Sequence, residues 1–228
     1  MRVNNEDACF SFAGDRQTPA FAVVADGMGG LLGGEEASAV AVEAIRVWMN
    51  SADNVIADAQ DMAAALEFAH QRVMQCATEL NYVGKMGTTL MLWVMLPGQN
   101  VSMYAHVGDS RCYALENGAL TQVSKDHTVT QRLVDSGLLA PARAPYHNKK
   151  HVLTQGIGLP GVIVPETNHL PTAQRILLCS DGLSDLVPIA KLNELINIED
   201  ADDAATAMLR TALDAGGRDN ITLILIDL

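Results

Sequence analysis

Apolar and polar positions along this chain fall into two kinds of rhythm. Short apolar runs bounded by Gly, Pro, Asn, Asp or Ser predict strands over residues 8–13, 20–25, 88–95, 101–107, 111–115, 120–123, 162–169, 175–179 and 221–226. Elsewhere apolar residues recur at intervals of three and four, as in Ala37, Val40, Ala41, Ala44, Ile45 and Trp48, which predicts helices over 35–50 and 59–80. A third helix is expected over 200–215, stopped by Gly216 and Gly217. Glu116-Asn117-Gly118 lies between two strand-like runs and reads as a hairpin turn, because Asn and Gly tolerate positive φ. Strands gather in groups instead of alternating with helices, which favours a layered α+β fold over a doubly wound parallel sheet. No repeat or low-complexity linker divides the sequence, so residues 1–228 read as one domain. Residues 137–150, GLLAPARAPYHNKK, break the rhythm; two prolines with Arg143, Lys149 and Lys150 mark a loop or flap, either solvated or facing substrate.

Composition narrows the partners. With 49% hydrophobic residues the chain can bury a sizeable core, and its net charge of −12 argues against nucleic acid or an anionic membrane as a partner. Cys9, Cys76, Cys112 and Cys179 show no metal-ligand spacing and suit reduced thiols in a cytoplasm. The first ten residues are too polar for a signal-peptide core, and the apolar stretch 89–96 is far too short to span a bilayer. A soluble cytoplasmic monomer is expected.

Candidate chemistry enters with the position of the aspartates. FAVVADGMGG ends an apolar run on Asp26, and RILLCSDGLSD ends another on Asp181. YAHVGDSR places Asp109 just after a strand, and GGRDNITLILI places Asp219 just before one. A single Asp-Gly is an ordinary turn. Four carboxylates at strand mouths would repel one another and raise each other's pKa unless a cation neutralised them. Oxygen ligands without His or Cys partners point to Mg²⁺ or Mn²⁺, and the adjacent glycines let backbone approach closely. The residues therefore read as a two-metal hydrolytic centre suited to phosphoryl chemistry.

NNED, VADGMGG, GTTL, HVGDSR, KDHT, VLTQGIG, SDGLSD and GGRDNIT occur in an order that resembles the PPM family, the metal-dependent Ser/Thr protein phosphatases of the protein phosphatase 2C type, in particular its bacterial branch. The resemblance runs from Arg2 to Leu225. It implies a central antiparallel β-sandwich flanked by helices on both faces, a four-layer αββα arrangement with metals at one end. Carried over by motif, Asp26 would bridge two ions, the Gly27 carbonyl would bind the second, and Asp181 and Asp219 would hold the first. Glu6 and Asp7 would lie against this centre, Glu6 through a metal-bound water. Asp109 with Asp181 would hold a third, weaker ion, and Arg2 would grip the substrate phosphate. The resemblance implies attack on phosphoserine or phosphothreonine by a hydroxide bridging two Mn²⁺ or Mg²⁺ ions, and protein substrates shared with a Hanks-type kinase.

Three departures from the family pattern matter. Met28 stands where many eukaryotic members carry a His that is a candidate general acid, and His127 is either a substitute or a structural residue. Gln155-Gly156 replaces a common Arg-Ala. Relatives also place a whole strand before the arginine where this chain has Met1, so the usual first strand is expected to be missing. His70 reads as a surface or packing residue, Met28, Met86, Met91 and Met95 as apolar filling, and Glu35-Glu36 as a helix N-terminus favoured by the dipole. Two other readings compete. A haloacid-dehalogenase-like phosphatase needs a second aspartate that ADGMGG lacks, and a pseudophosphatase that only binds phosphoproteins should have lost ligands that are present here.

Overall fold

The computed structural model describes residues 4–28, 33–99, 101–170 and 173–228. Among them, nine strands form two antiparallel sheets. One sheet has five strands in the order β1 (Asp7–Phe12), β2 (Ala20–Asp26), β3 (Leu90–Met95), β4 (Ser102–Val107) and β7 (Glu166–Leu170). The other has four, in the order β6 (Ala119–Gln122), β5 (Arg111–Glu116), β8 (Arg175–Cys179) and β9 (Leu223–Asp227).

Side-chain alternation explains the layering. On β2, Phe21, Val23 and Ala25 enter the core shared with α1 (Gly34–Asn50) and α2 (Ala59–Glu79), whereas Ala22 and Val24 face the opposite sheet. On β8, Ile176 and Leu178 face that same middle layer, while Leu177 and Cys179 pack beneath α5 (Ile189–Ile196) and α6 (Ala201–Asp214). Both faces of each central strand are thus buried, which is why their sequences are continuous apolar runs without polar alternation. Helix, sheet, sheet and helix stack in the expected αββα order.

Local chemistry sets the boundaries. The Asp58 side chain accepts from the Gln60 and Asp61 N–H groups, and Asp61 answers onto the Asp58 backbone, a capping box that starts α2. Glu35 and Glu36 occupy the first turn of α1, as the dipole favours. Asn117 and Gly118 have φ of 51° and 78°, the pair of left-handed residues that a tight β5–β6 hairpin needs.

Four elements escaped the sequence pattern: α3 (Val129–Asp135), a 3-10 turn (Pro141–Tyr146) inside the proposed flap, α4 (Asp181–Ser184) and α5. All are too short to show helical periodicity. The expected strand over 162–169 is reduced to Glu166–Leu170, because Gln155 bonds both backbone groups of Val164 and holds that residue in a loop. Among the described residues, no helix is long and apolar enough to cross a membrane.

Candidate metal centre

Strand pairing builds the first half of the site. The β1–β2 register places Asp7 opposite Asp26 at the end of the five-stranded sheet. Thr89 fixes Asp26, its Oγ1 accepting from the Asp26 N–H at 2.9 Å while its own N–H donates to the Asp26 carbonyl at 2.9 Å. Gly27 donates to the Glu6 carbonyl at 3.0 Å, and a Cβ here would lie 2.3 Å from the Gly34 oxygen and 2.5 Å from that of Glu6. This Asp-Gly is therefore a close approach of three backbone segments, one that excludes any side chain.

The second sheet supplies the other half. Ser180, directly after β8, donates from Oγ to Asp7 Oδ2 at 2.9 Å and accepts from the Thr222 N–H at 3.1 Å. Asp181 follows at the start of α4, and Gly182 is required because a Cβ would fall 1.9 Å from the Asn220 carbonyl oxygen. Asp219 Oδ1 accepts from the Asn220 N–H at 2.8 Å. Asp109 is buried behind Gly108, whose φ of 116° and contact with Thr89 admit only glycine.

Charge explains what this cluster lacks. Burial pushes the Asp26 carboxyl well above its usual range, and Asp181, Asp7, Asp109 and Asp219 push it further. Asp7 is raised by burial, against hydrogen bonds from Thr222 and Ser180 that favour its ionised form. Asp109 is pushed up to about 8 by burial, Asp181 and Asp126, with Arg111 and His151 opposing. Asp181 is lowered: burial pulls it upward, but the hydrogen bond and charge of His151, helped by Asp26 and Arg111, more than offset this. Asp7 Oδ1 is buried with no donor facing it. An all-oxygen set of crowded carboxylates with an unsatisfied buried oxygen fits hard divalent cations.

The sequence-derived residues thus divide as follows. Asp7, Asp26, Asp109, Asp181 and Asp219 interact around one point. Glu6 stands beside them, its carboxyl carbon 3.2 Å from where a Gly34 Cβ would be. Arg2 lies outside the described residues, as do Gly29 and Gly30 of the DGMGG motif.

Other residues were not anticipated. Asn220 clamps the N-terminal segment, accepting from the Glu6 N–H at 3.1 Å and donating to the Asn4 carbonyl at 3.0 Å. His151 donates toward Asp181 at 3.1 Å and lies 3.2 Å from Asp185, with Lys150 on Asp185 at 2.5 Å, so the flap's end reaches the acidic mouth. Ligand-capable atoms of Asp109, His151 and Asp181 lie within 4.8 Å of one another. Arg111 grips Asp126 through two nitrogens, at 2.9 and 2.6 Å. Between these groups and the 3-10 turn opens a cleft of about 550 Å³ lined by Tyr113, Tyr146, Lys150 and Ile189 as well as Asp109 and Asp181.

His127, His106 and His70 support the fold. His127 accepts from the Gly108 N–H at 3.2 Å and stacks on His106 at 4.5 Å, and burial beside His106 pushes its pKa down to about 4. Those rings are within 10° of parallel, so their lone pairs lie in separate planes and share no metal well, although Glu166 is close. His70 is buried and accepts from the Gly158 N–H at 3.1 Å.

Comparison with known proteins agrees with this geometry. The family model for protein phosphatase 2C matches residues 2–225. The serine/threonine phosphatase stp of Listeria innocua is 32% identical over 236 residues, spanning 100% of this chain and 91% of that protein. The Mycobacterium tuberculosis serine/threonine phosphatase PstP/Ppp superposes with a TM-score of 0.87 at 32% identity, over 100% of this chain and 94% of that one. The catalytic domain of PstP in complex with two manganese ions gives a TM-score of 0.82 at 32% identity, over 100% and 93% of the two chains. With the match running through both sheets and every strand mouth that carries an aspartate, the chain belongs to the protein phosphatase 2C family.

Proposed function

We propose that this protein is a serine/threonine protein phosphatase, a phosphoric monoester hydrolase acting on phosphoserine and phosphothreonine with Mn²⁺ or Mg²⁺ at the acidic mouth. One observation carries the reading. Burial and the charges of four other aspartates raise the Asp26 carboxyl well above its usual range, a crowding that costs stability unless cations offset it. Solved PstP with two manganese ions supports the same choice of ion.

Asp26, the Gly27 carbonyl, Asp181 and Asp219 would hold the two ions. Asp109 with Asp181 would hold a third, weaker one, and Glu6 and Asp7 would border the pair. When bound, the two ions supply Lewis acidity at the phosphoryl oxygens and an activated water as nucleophile. The chain's own groups do the rest. Ser180 and Thr222 orient Asp7, and Asn220 holds the segment that carries Glu6. Arg2, assigned by motif, would present a guanidinium fork to the phosphate oxygens. The cleft of about 550 Å³ beside Asp109 and Asp181 receives the peptide around the phosphorylated residue. Met28 has no proton to give and His127 stays neutral near pH 7, so neither protonates the leaving alkoxide.

We further propose a cytoplasmic monomer whose substrates include a Hanks-type kinase or that kinase's targets. A non-catalytic phosphoprotein-binding role has no observation in its favour, since Asp26, Asp181 and Asp219 are all in place. The test is hydrolysis of a phosphothreonine peptide by the purified protein. Release of phosphate with Mn²⁺ or Mg²⁺, stopped by chelation and restored by added ion, is the expected result. No release at any concentration of either ion would overturn the reading.

A further inference from the structure

Met28 directly follows the glycine placed on the second ion, and the proposed reaction gives its side chain no role. Three extended pieces lie side by side beneath it. Met28 donates to the Gly87 carbonyl at 3.1 Å, and Thr88 and Ile157 exchange both backbone bonds at 3.0 and 2.9 Å. The Met28 N–H thus points at Gly87. Across the planar trans peptide the Gly27 carbonyl must point the opposite way, toward the β1 side where Glu6 and Asp7 stand. Whatever holds Met28 in register with Gly87 therefore also aims the Gly27 oxygen.

The Met28 side chain lies in a slot walled by missing side chains. A Cβ on Gly87 would be 3.2 Å from Met28 Sδ, and a Cβ on Gly156 would be 2.4 Å from Met28 Cε. Leu159 closes the slot, since both hypothetical Cβ atoms would also press against it, at 2.9 and 3.2 Å. Gly156 has no left-handed φ, so its backbone would accept alanine, and the chief obstacle is the Met28 methyl. The third piece is anchored from behind, with Gly158 bonded to His70 on α2 and pressed against Val73.

We propose that Met28 is a positioning residue, seated across Gly87 and Gly156, that aims the Gly27 carbonyl at the second metal position. The proposal rests on the reading of Gly27 as a ligand. Outer groups that orient a ligand typically cost 10–100-fold in metal affinity when lost.

The experiment is Mn²⁺ titration by calorimetry of the wild type, Gly156→Ala, Met28→Ala and the double variant, with metal-free Tm and steady-state kinetics alongside. Each single variant should weaken Mn²⁺ binding roughly tenfold while the metal-free Tm stays near the wild type. The double variant should bind as Met28→Ala does, because the methyl added at position 156 loses its chief obstacle once the Met28 side chain is cut back. Wild-type Mn²⁺ affinity in both single variants would overturn the proposal, as would a double variant whose losses add. Should Gly156→Ala not fold, Met28→Ala decides alone, since it removes atoms and adds none. A wild type that binds no Mn²⁺ would instead overturn the metal reading itself, and the proposal with it.

Discussion

Two Asp-Gly corners face each other across the mouth of the sandwich, and they differ in what neutralises them. Asp26 ends β2 among other carboxylates, and burial with their repulsion lifts its pKa. Asp181 opens α4 beside His151 and is pushed the other way. The same dipeptide after two strands thus gives one acid whose ionised form is disfavoured and one whose ionised form is favoured. A cation at the mouth would relieve repulsion chiefly at Asp26.

Isosteric neutralisation should break this comparison most sharply. Asp26→Asn should lower kcat by about a thousandfold or more, the loss of several kcal/mol of metal-borne charge stabilisation. It should also raise the metal-free Tm by about 2–4 °C for each kcal/mol of repulsion removed. Asp181→Asn should damage activity similarly but leave the metal-free Tm unchanged or lower, because it removes the partner of His151. Equal Tm shifts in the two variants would refute the contrast.

The pH dependence of the metal-free protein is the next test. Asp109 titrates at about 8 in the fold, against an unfolded aspartate near 3.9. Between those values the folded state holds a proton that the unfolded chain has released, so stability falls as pH rises from about 4 to about 8. Asp26 and Asp7 act in the same direction. Asp181 is opposite in sign, contributing stability above its ordinary range and losing it as pH falls. His127, pushed down to about 4, opposes this below about pH 6.5, so chemical denaturation should show the decline between about pH 6.5 and 8, abolished by saturating Mn²⁺.

Smaller effects should sharpen the picture. Asn220→Ala removes two hydrogen bonds to the N-terminal segment and should cost about 1–3 kcal/mol, read in the denaturation midpoint, with weaker Mn²⁺ binding. His151→Ala should change Mn²⁺ affinity by no more than about fivefold, as its half-exposed bond to Asp181 is worth about 1 kcal/mol or less. A larger effect would mean that His151 is itself a ligand.

Much of this was legible in the sequence because both faces of the central strands are buried. Apolar runs such as FAVVA and RILLC could be read directly, and the acid at the end of each was conspicuous. The short helices were not legible, since Asp181–Ser184 forms a single turn with no period to detect. Nor were the supporting residues, whose roles exist only between distant segments. Asn220 looks like a loop amide until Glu6 and Asn4 are brought to it, although its place in the GGRDNIT motif was a usable signal. Gly87 and Gly156 look like ordinary loop glycines until Met28 lies across them. His151 is not legible because it stands just past the predicted flap of residues 137–150 and meets Asp181 only in the fold.

The bond from Ser180 to Asp7 joins residues 173 positions apart, one just past β8 and one at the start of β1. Ions held jointly by Asp26, Asp181 and Asp219 would close the chain over a similar span. A covalent crosslink around a loop of that order restricts the unfolded chain by about 5 kcal/mol. The centre that cuts a phosphate ester would then also be a reversible staple, tying the first strands made to the last and letting cellular manganese or magnesium set how tightly the chain is knotted into its native form.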